Sequence, residues 1–140
     1  MKIYLASRYS RFPEMQGCCN DLVAAGHDVT SRWIEGAHQA LDGELSTQHA
    51  CNFAIEDMTD LMVADCVISF TEQPRSGHSR GGRHVEYGMA LALGKRIIVV
   101  GPRENVFHSL PRVEVFDTWQ EALIRLTKEF KNERPDPGTL

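Results

Sequence analysis

Cys66-Val67-Ile68-Ser69-Phe70 and Arg96-Ile97-Ile98-Val99-Val100 are two short, nearly continuous apolar runs. Between them stands Gly82-Arg83-His84-Val85-Glu86-Tyr87-Gly88-Met89-Ala90-Leu91-Ala92-Leu93, followed by Gly94. Apolar runs without alternation are what strands look like when both faces of a sheet are covered. The middle segment predicts a helix over 82–93, with Gly94 ending it. Strand, helix and strand in this order make a parallel βαβ unit.

The same alternation continues outward. Ile3-Tyr4-Leu5-Ala6 reads as the first strand, and a helix follows over Pro13 to Ala25, closed by Gly26. His27-Asp28-Val29-Thr30 is a short second strand, residues 31–46 are irregular and hold Trp33, and a second helix covers Thr47 to Ala64. Val113-Glu114-Val115-Phe116 reads as a fifth strand and Trp119 to Phe130 as a last amphipathic helix. The tail 134–140, with its two prolines, is expected to fray, which leaves 1–133 as the domain. The expectation is one three-layer αβα domain with a doubly wound, flavodoxin- or Rossmann-like sheet of about five mostly parallel strands. Ligands of such sheets bind beyond the carboxyl ends of the strands. That selects four loops: Ser7-Arg8-Tyr9-Ser10, the segment after Thr30, Thr71 to Gly82, and Gly101 to Ser109.

Composition narrows the function. The 140 residues suffice for one domain with a real core, and 42% hydrophobic with 24% charged residues argues against disorder. The formal charge of −4 speaks against polymeric nucleic acid as a partner. No apolar run approaches the ~20 residues of a membrane helix, and no signal-like stretch opens the chain, so a cytoplasmic protein is expected. Cys18, Cys19, Cys51 and Cys66 form no C-x-x-C pair and read as reduced thiols. His84-Val85-Glu86 matches the H-x-E of zinc deaminases, but the P-C-x-x-C that those enzymes require is missing. No metal and no organic cofactor are called for.

Two carboxylates stand where apolar residues are expected. Glu86 lies in a helix that is apolar nearly all round, close to its positive dipole end, which favours an ionised carboxylate. It is either a nucleophile at a pocket mouth or a residue that merely stabilises the helix start. Asp57 stands at the centre of a stripe made by Ala50, Phe53, Ala54, Leu61 and Ala64. A second stripe, Cys51, Ile55, Met58 and Met62, competes for the sheet, and if it wins Asp57 points elsewhere. Glu56 and Asp60 read as solvated or border positions. Two carboxylates in one site can divide labour, one attacking an anomeric carbon while the other handles protons or hydroxyls.

The loop before Glu86 has chemistry of its own. Ser79-Arg80-Gly81-Gly82-Arg83 offers backbone N–H groups, a helix N-terminus and two guanidiniums, which suits a phosphate; a solvated loop is the alternative. Trp33 either stacks on a base or fills the core, and Tyr9 and Tyr87 stay undecided between the same two roles.

Lys2-Ile3-Tyr4-Leu5-Ala6-Ser7, the run from Asp57 to Ile68, and Gly82-Arg83-His84-Val85-Glu86-Tyr87-Gly88 followed by Gly94-Lys95-Arg96-Ile97 resemble the nucleoside 2-deoxyribosyltransferase family over roughly residues 2 to 116. That family includes 2'-deoxynucleoside 5'-monophosphate N-hydrolases. The resemblance implies that Glu86 is the nucleophile of a covalent glycosyl-enzyme and that Asp57 contacts the sugar or assists proton transfer to the departing base. It places Ser7 and Arg8 in a loop that helps hold a phosphate. It also implies a dimer or larger assembly in which a neighbour's loop, here with Asn105, His108 and Ser109, completes the site. The loop before Glu86 is longer and more basic than in the monophosphate hydrolases, and Ser76 and Ser79 both fit the family's loop serine. Because Arg8, Arg75, Arg80 and Arg83 crowd ligand loops of an acidic protein, hydrolysis of a nucleoside 5'-monophosphate leads. Base transfer between deoxynucleosides and a non-catalytic nucleotide-binding module are the alternatives.

Overall fold

The computed structural model describes residues 1–36, 46–74 and 81–133. Within them the chain runs β1 (Lys2–Ala6), α1 (Phe12–Ala24), β2 (Asp28–Val29), α2 (Thr47–Val63), β3 (Cys66–Phe70), α3 (Gly82–Ala92), β4 (Arg96–Val100), β5 (Glu114–Phe116) and α4 (Trp119–Glu133). Single 3-10 turns fall at Tyr9–Arg11, Arg32–Glu35 and Val106–Ser109. The tail 134–140 lies outside the described residues.

The five strands form one sheet in the order β2-β1-β3-β4-β5, every pairing parallel. The register sets Leu5 beside Ile68 and Ile68 beside Ile98. β3 and β4 lie at the centre, as apolar runs buried on both faces must. The strand order reverses at β1 and β3, so the crevice beyond their carboxyl ends is the topological switch point. α1 and α4 pack together on one face, while α2 and α3 pack together on the other, over β1. The fold is therefore the expected doubly wound αβα sandwich.

Local chemistry accounts for the element ends. Pro13 occupies the first turn of α1, where its missing N–H is not needed. Ser46 caps α2 by accepting the His49 N–H at 3.1 Å. Gly101, just past β4, has φ +116°, and a Cβ there would stand 2.5 Å from Thr71 Oγ1. Only glycine lets the loops after β3 and β4 approach so closely.

Residues 31–36, the described start of the irregular segment after β2, are anchored to the sheet. Trp33 is buried and its indole N–H donates to Leu5 O at 2.8 Å. All four cysteines are free, and burial pushes the Cys18 and Cys66 thiols up to about 12, leaving them inert packing groups. Among the described residues no helix is long and apolar enough to cross a membrane.

Candidate active site

The α2 stripe question resolves in favour of Asp57. Ile55, Met58 and Met62 are exposed, whereas Leu61 and Ala64 are buried and Phe53 half-buried. Ala50 and Ala54, at the outer end of the same face, are exposed, so the buried stripe is narrower than a helical wheel suggests. Asp57 Oδ1 is sealed from solvent on the side of α2 that looks over β1. Asp60 corrects the expectation of a solvated border residue. It is buried, and its carboxylate takes the Arg32 side chain (Nη2–Oδ1 2.8 Å) and the Arg32 N–H at 3.0 Å. The 3-10 turn that carries Arg32 brings the guanidinium back onto α2, which the sequence pattern of α2 alone does not reveal.

Glu86 is the fifth residue of α3, in its second turn. The residue is half-buried as a whole, but its Oε2 has no solvent contact and no full hydrogen bond. The expectation of a carboxylate kept ionised by the helix dipole is corrected here. The dipole acts within the first turn, and desolvation wins beyond it. Burial pushes the Glu86 carboxyl up to about 8; the Tyr4 hydroxyl pulls the other way, and the Asp57 charge raises it further.

Tyr4 is the residue that sequence reasoning missed. It is fully buried in β1, and its hydroxyl, buried without a full hydrogen bond, bears on both carboxylates. Burial raises its pKa strongly, with the Glu86 and Asp57 charges adding to the effect, so the phenol stays neutral and available as a donor. The signal was present: a phenol in an otherwise hydrocarbon strand, Ile3-Tyr4-Leu5-Ala6, must find a polar neighbour. β1, α2 and α3 thus converge on two carboxyl groups and one hydroxyl in a water-poor setting. Such a set can attack an electrophilic carbon, hold a developing positive charge and pass a proton.

The remaining candidates divide by their partners. Ser7 donates to Arg8 O at 2.9 Å, and Arg8 lies 3.9 Å from Glu72. Tyr9 donates to Gly36 O at 2.6 Å and packs its ring on Phe12 and Trp33, so the aromatic trio is a wall of the fold. Gly81 begins α3 with φ +83°, and Gly82 brings its backbone to within 3.9 Å, measured from an added Cβ, of Glu86 Oε1. Ser79 and Arg80, like Arg75 and Ser76, lie outside the described residues.

Arg83 does not display its charge to the crevice. It is buried, with both terminal nitrogens on the two carboxylate oxygens of Glu104. Asn105 caps the 3-10 turn by accepting the Phe107 N–H at 3.0 Å. His108 is buried and its Nδ1 accepts the Glu104 N–H at 2.9 Å, so it is engaged within its own chain; Ser109 is exposed. Burial pushes the His84 and His108 imidazoles down, toward the neutral form. Among the described residues no three His, Cys, Asp or Glu side chains cluster as a metal site.

No protein-family model matches the chain, and no curated protein matches it. Solved structures do. A 2-deoxyribosyltransferase from Bacillus psychrosaccharolyticus superposes with a TM-score of 0.66 at 19% identity, covering 99% of this chain and 95% of its own. The Clostridium botulinum CMP N-glycosidase BcmB gives 0.58 at 20% identity, covering 90% and 98%. A conserved protein from Enterococcus faecalis V583 gives 0.65 at 12% identity, covering 92% and 98%. At these identities the chain shares the fold of the deoxyribosyltransferase and the N-glycosidase.

Proposed function

We propose that the protein is an N-glycosidase that cleaves the base–sugar bond of a (2'-deoxy)nucleoside 5'-monophosphate through a covalent glycosyl-Glu86 intermediate. The observation that carries this reading is the buried convergence of Glu86, Asp57 and Tyr4. Ionised Glu86 attacks C1', the C1'–N bond breaks and the base leaves with its electron pair and takes up a proton. Water then attacks C1', gives up a proton and frees Glu86. Asp57 binds the sugar or carries the proton, and its charge favours the oxocarbenium-like transition state. The likeness to a CMP N-glycosidase supports this class of reaction.

The phosphate half of the reading rests on fewer groups than the sequence offers. Arg83 is paired with Glu104, while Ser7, Arg8 and the Gly81-Gly82 backbone flank the crevice. Base exchange between deoxynucleosides is the second reading, favoured by the likeness to a 2-deoxyribosyltransferase. Chromatographic base release tests both, on nucleosides and 5'-monophosphates, each with and without an added free base. Free base from monophosphates alone supports the hydrolase, and a new nucleoside formed only with added base supports transfer. Binding without turnover across the panel overturns both and leaves a nucleotide-binding module.

The proposal includes a homodimer. Ile55, Met58 and Met62 of α2, Val85 of α3 and Leu93 just past its end expose apolar surface on two helices that pack together. Several exposed apolar side chains on two packed helices support an association face there. Met62→Asp is expected to convert a dimer to a monomer in light scattering; a monomeric wild type refutes the assembly. A cytoplasmic location fits the four free thiols.

A further inference from the structure

Glu104 of the loop after β4 joins three segments. It takes both terminal nitrogens of Arg83 from α3, and its Oε1 accepts the N–H of Glu72, just past β3, at 2.8 Å. Glu72 in turn lies 3.3 Å from Arg11 and 3.9 Å from Arg8, in the loop after β1. Burial opposes ionisation of Glu104, but the Arg83 guanidinium and the Glu72 N–H outweigh it and hold its carboxyl below the usual range.

The same loop grips α3 a second time. Tyr87 donates to Phe107 O at 2.6 Å and meets the His108 ring edge-on at 4.7 Å. Arg83 and Tyr87 stand three residues before and one after Glu86, so the two grips straddle it. Gly81 provides no side-chain cap to α3, and the other first-turn contact, His84 Nε2 at 3.6 Å from Glu104 Oε2, ends on the same carboxylate. A buried ion pair adds little net stability over an apolar pair of the same shape. What a two-pronged guanidinium–carboxylate contact adds is direction.

We propose that the buried Arg83–Glu104 ion pair is a positioning device, which fixes the first turn of α3 so that the Glu86 carboxylate is held against Tyr4 and Asp57. Arg83 is a positioning residue rather than a phosphate ligand, since both its terminal nitrogens are engaged within the fold. The inference deepens the reading of Glu86 as nucleophile and rests on it.

The test uses the full chain with Arg83→Met, Arg83→Lys and Glu104→Gln. The Glu86 carboxyl is titrated by 13C NMR, with Glu86→Gln assigning its signal, and base release is measured on nucleosides and monophosphates. Loosening the turn admits water to Glu86, so its titration midpoint is expected to fall by about one pH unit in Arg83→Met and Glu104→Gln. Turnover falls about 10- to 100-fold on both substrate types with KM little changed, as for a reacting group misplaced by about 1 Å. Arg83→Lys recovers part of both losses.

Folded variants with an unmoved Glu86 midpoint overturn the proposal. So does a KM increase confined to monophosphates, which returns Arg83 to phosphate binding. If the wild type releases no base from any substrate, the proposed function fails, while the NMR titration still decides whether the pair positions Glu86. Should Arg83→Met not fold, Glu104→Gln, which keeps the shape and removes the charge, carries the test.

Discussion

Two clusters of carboxylates sit on the same sheet and are treated in opposite ways. At the amino end, Arg96 at the start of β4 divides its guanidinium between Glu114 (2.7 and 2.9 Å) and Glu129 (2.6 and 2.9 Å). Hydrogen bonds from Arg96 hold the Glu129 carboxyl below its usual range, against a smaller opposing effect of burial. On the side of the sheet covered by α2 and α3, Glu86 has a phenol and another carboxylate for neighbours, and burial lifts it to about 8. The first cluster neutralises its charges and serves the fold. The second keeps a carboxyl poised near neutrality in a dry setting, which is the property the proposed role of Glu86 needs.

The largest break in this comparison comes from Glu86→Gln. Turnover is expected to fall a thousandfold or more, of the order seen when a covalent nucleophile is removed; base release at near wild-type rate would dismiss the nucleophile. The same variant tests the electrostatics. A carboxyl whose folded pKa lies above its unfolded value stabilises the fold below about pH 4.5, and that contribution is lost as pH rises toward about 8. The stability advantage of the wild type over Glu86→Gln in thermal melts should therefore decline over this window. An ascending limb of kcat/KM near pH 8 in the free enzyme reports the same ionisation.

Asp57→Asn and Tyr4→Phe sharpen the contrast because they move Glu86 in opposite directions. Removing the Asp57 charge is expected to lower the Glu86 midpoint and to reduce turnover about 100-fold, the low end for lost proton transfer. Removing the Tyr4 hydroxyl, which favours the ionised form of Glu86, raises the midpoint and has the smaller effect on turnover, about tenfold for roughly one pH unit. Stability should hardly change in Tyr4→Phe, since the buried hydroxyl has no full hydrogen bond to lose. Midpoints that shift in the same direction would show that Glu86 does not sense the two groups separately.

The parts of the molecule that periodicity controls were legible. β3 and β4 read as strands covered on both faces, while for α2 the sequence offered two stripes, and only the exposure of Ile55, Met58 and Met62 decides for the one that holds Asp57. What stayed hidden depends on pairings between distant segments. Arg83 and Glu104 are 21 residues apart and Arg32 and Asp60 28 apart; by itself Arg83 reads as a phosphate ligand and Asp60 as a solvated or border position. The crowding of arginines in ligand loops was visible, but the carboxylates that neutralise Arg32 and Arg83 come from α2 and the β4 loop, which only the fold brings near. Tyr4 read as core because it is core; its second role appears only when α2 and α3 are laid over β1.

Arg96→Met gives the smallest effect and probes the comparison from its other end. The Arg96 side chain and its two carboxylates keep about a third of their surface in water, so solvent takes over much of what the guanidinium provides. The loss should be about 1 kcal/mol, as for partly exposed ion pairs. Its pH dependence has the opposite sign to that of Glu86. A carboxyl with a depressed folded pKa stabilises the fold above the ordinary carboxylate range, and that contribution is lost as pH falls through the depressed value. The variant should therefore differ most from the wild type near neutrality and converge with it in acid, with base release unchanged when both are compared well below their melting temperatures. A turnover loss in Arg96→Met comparable to that of Asp57→Asn would mean that the two clusters are coupled through β4, and that the division between a stabilising end and a reactive side does not hold.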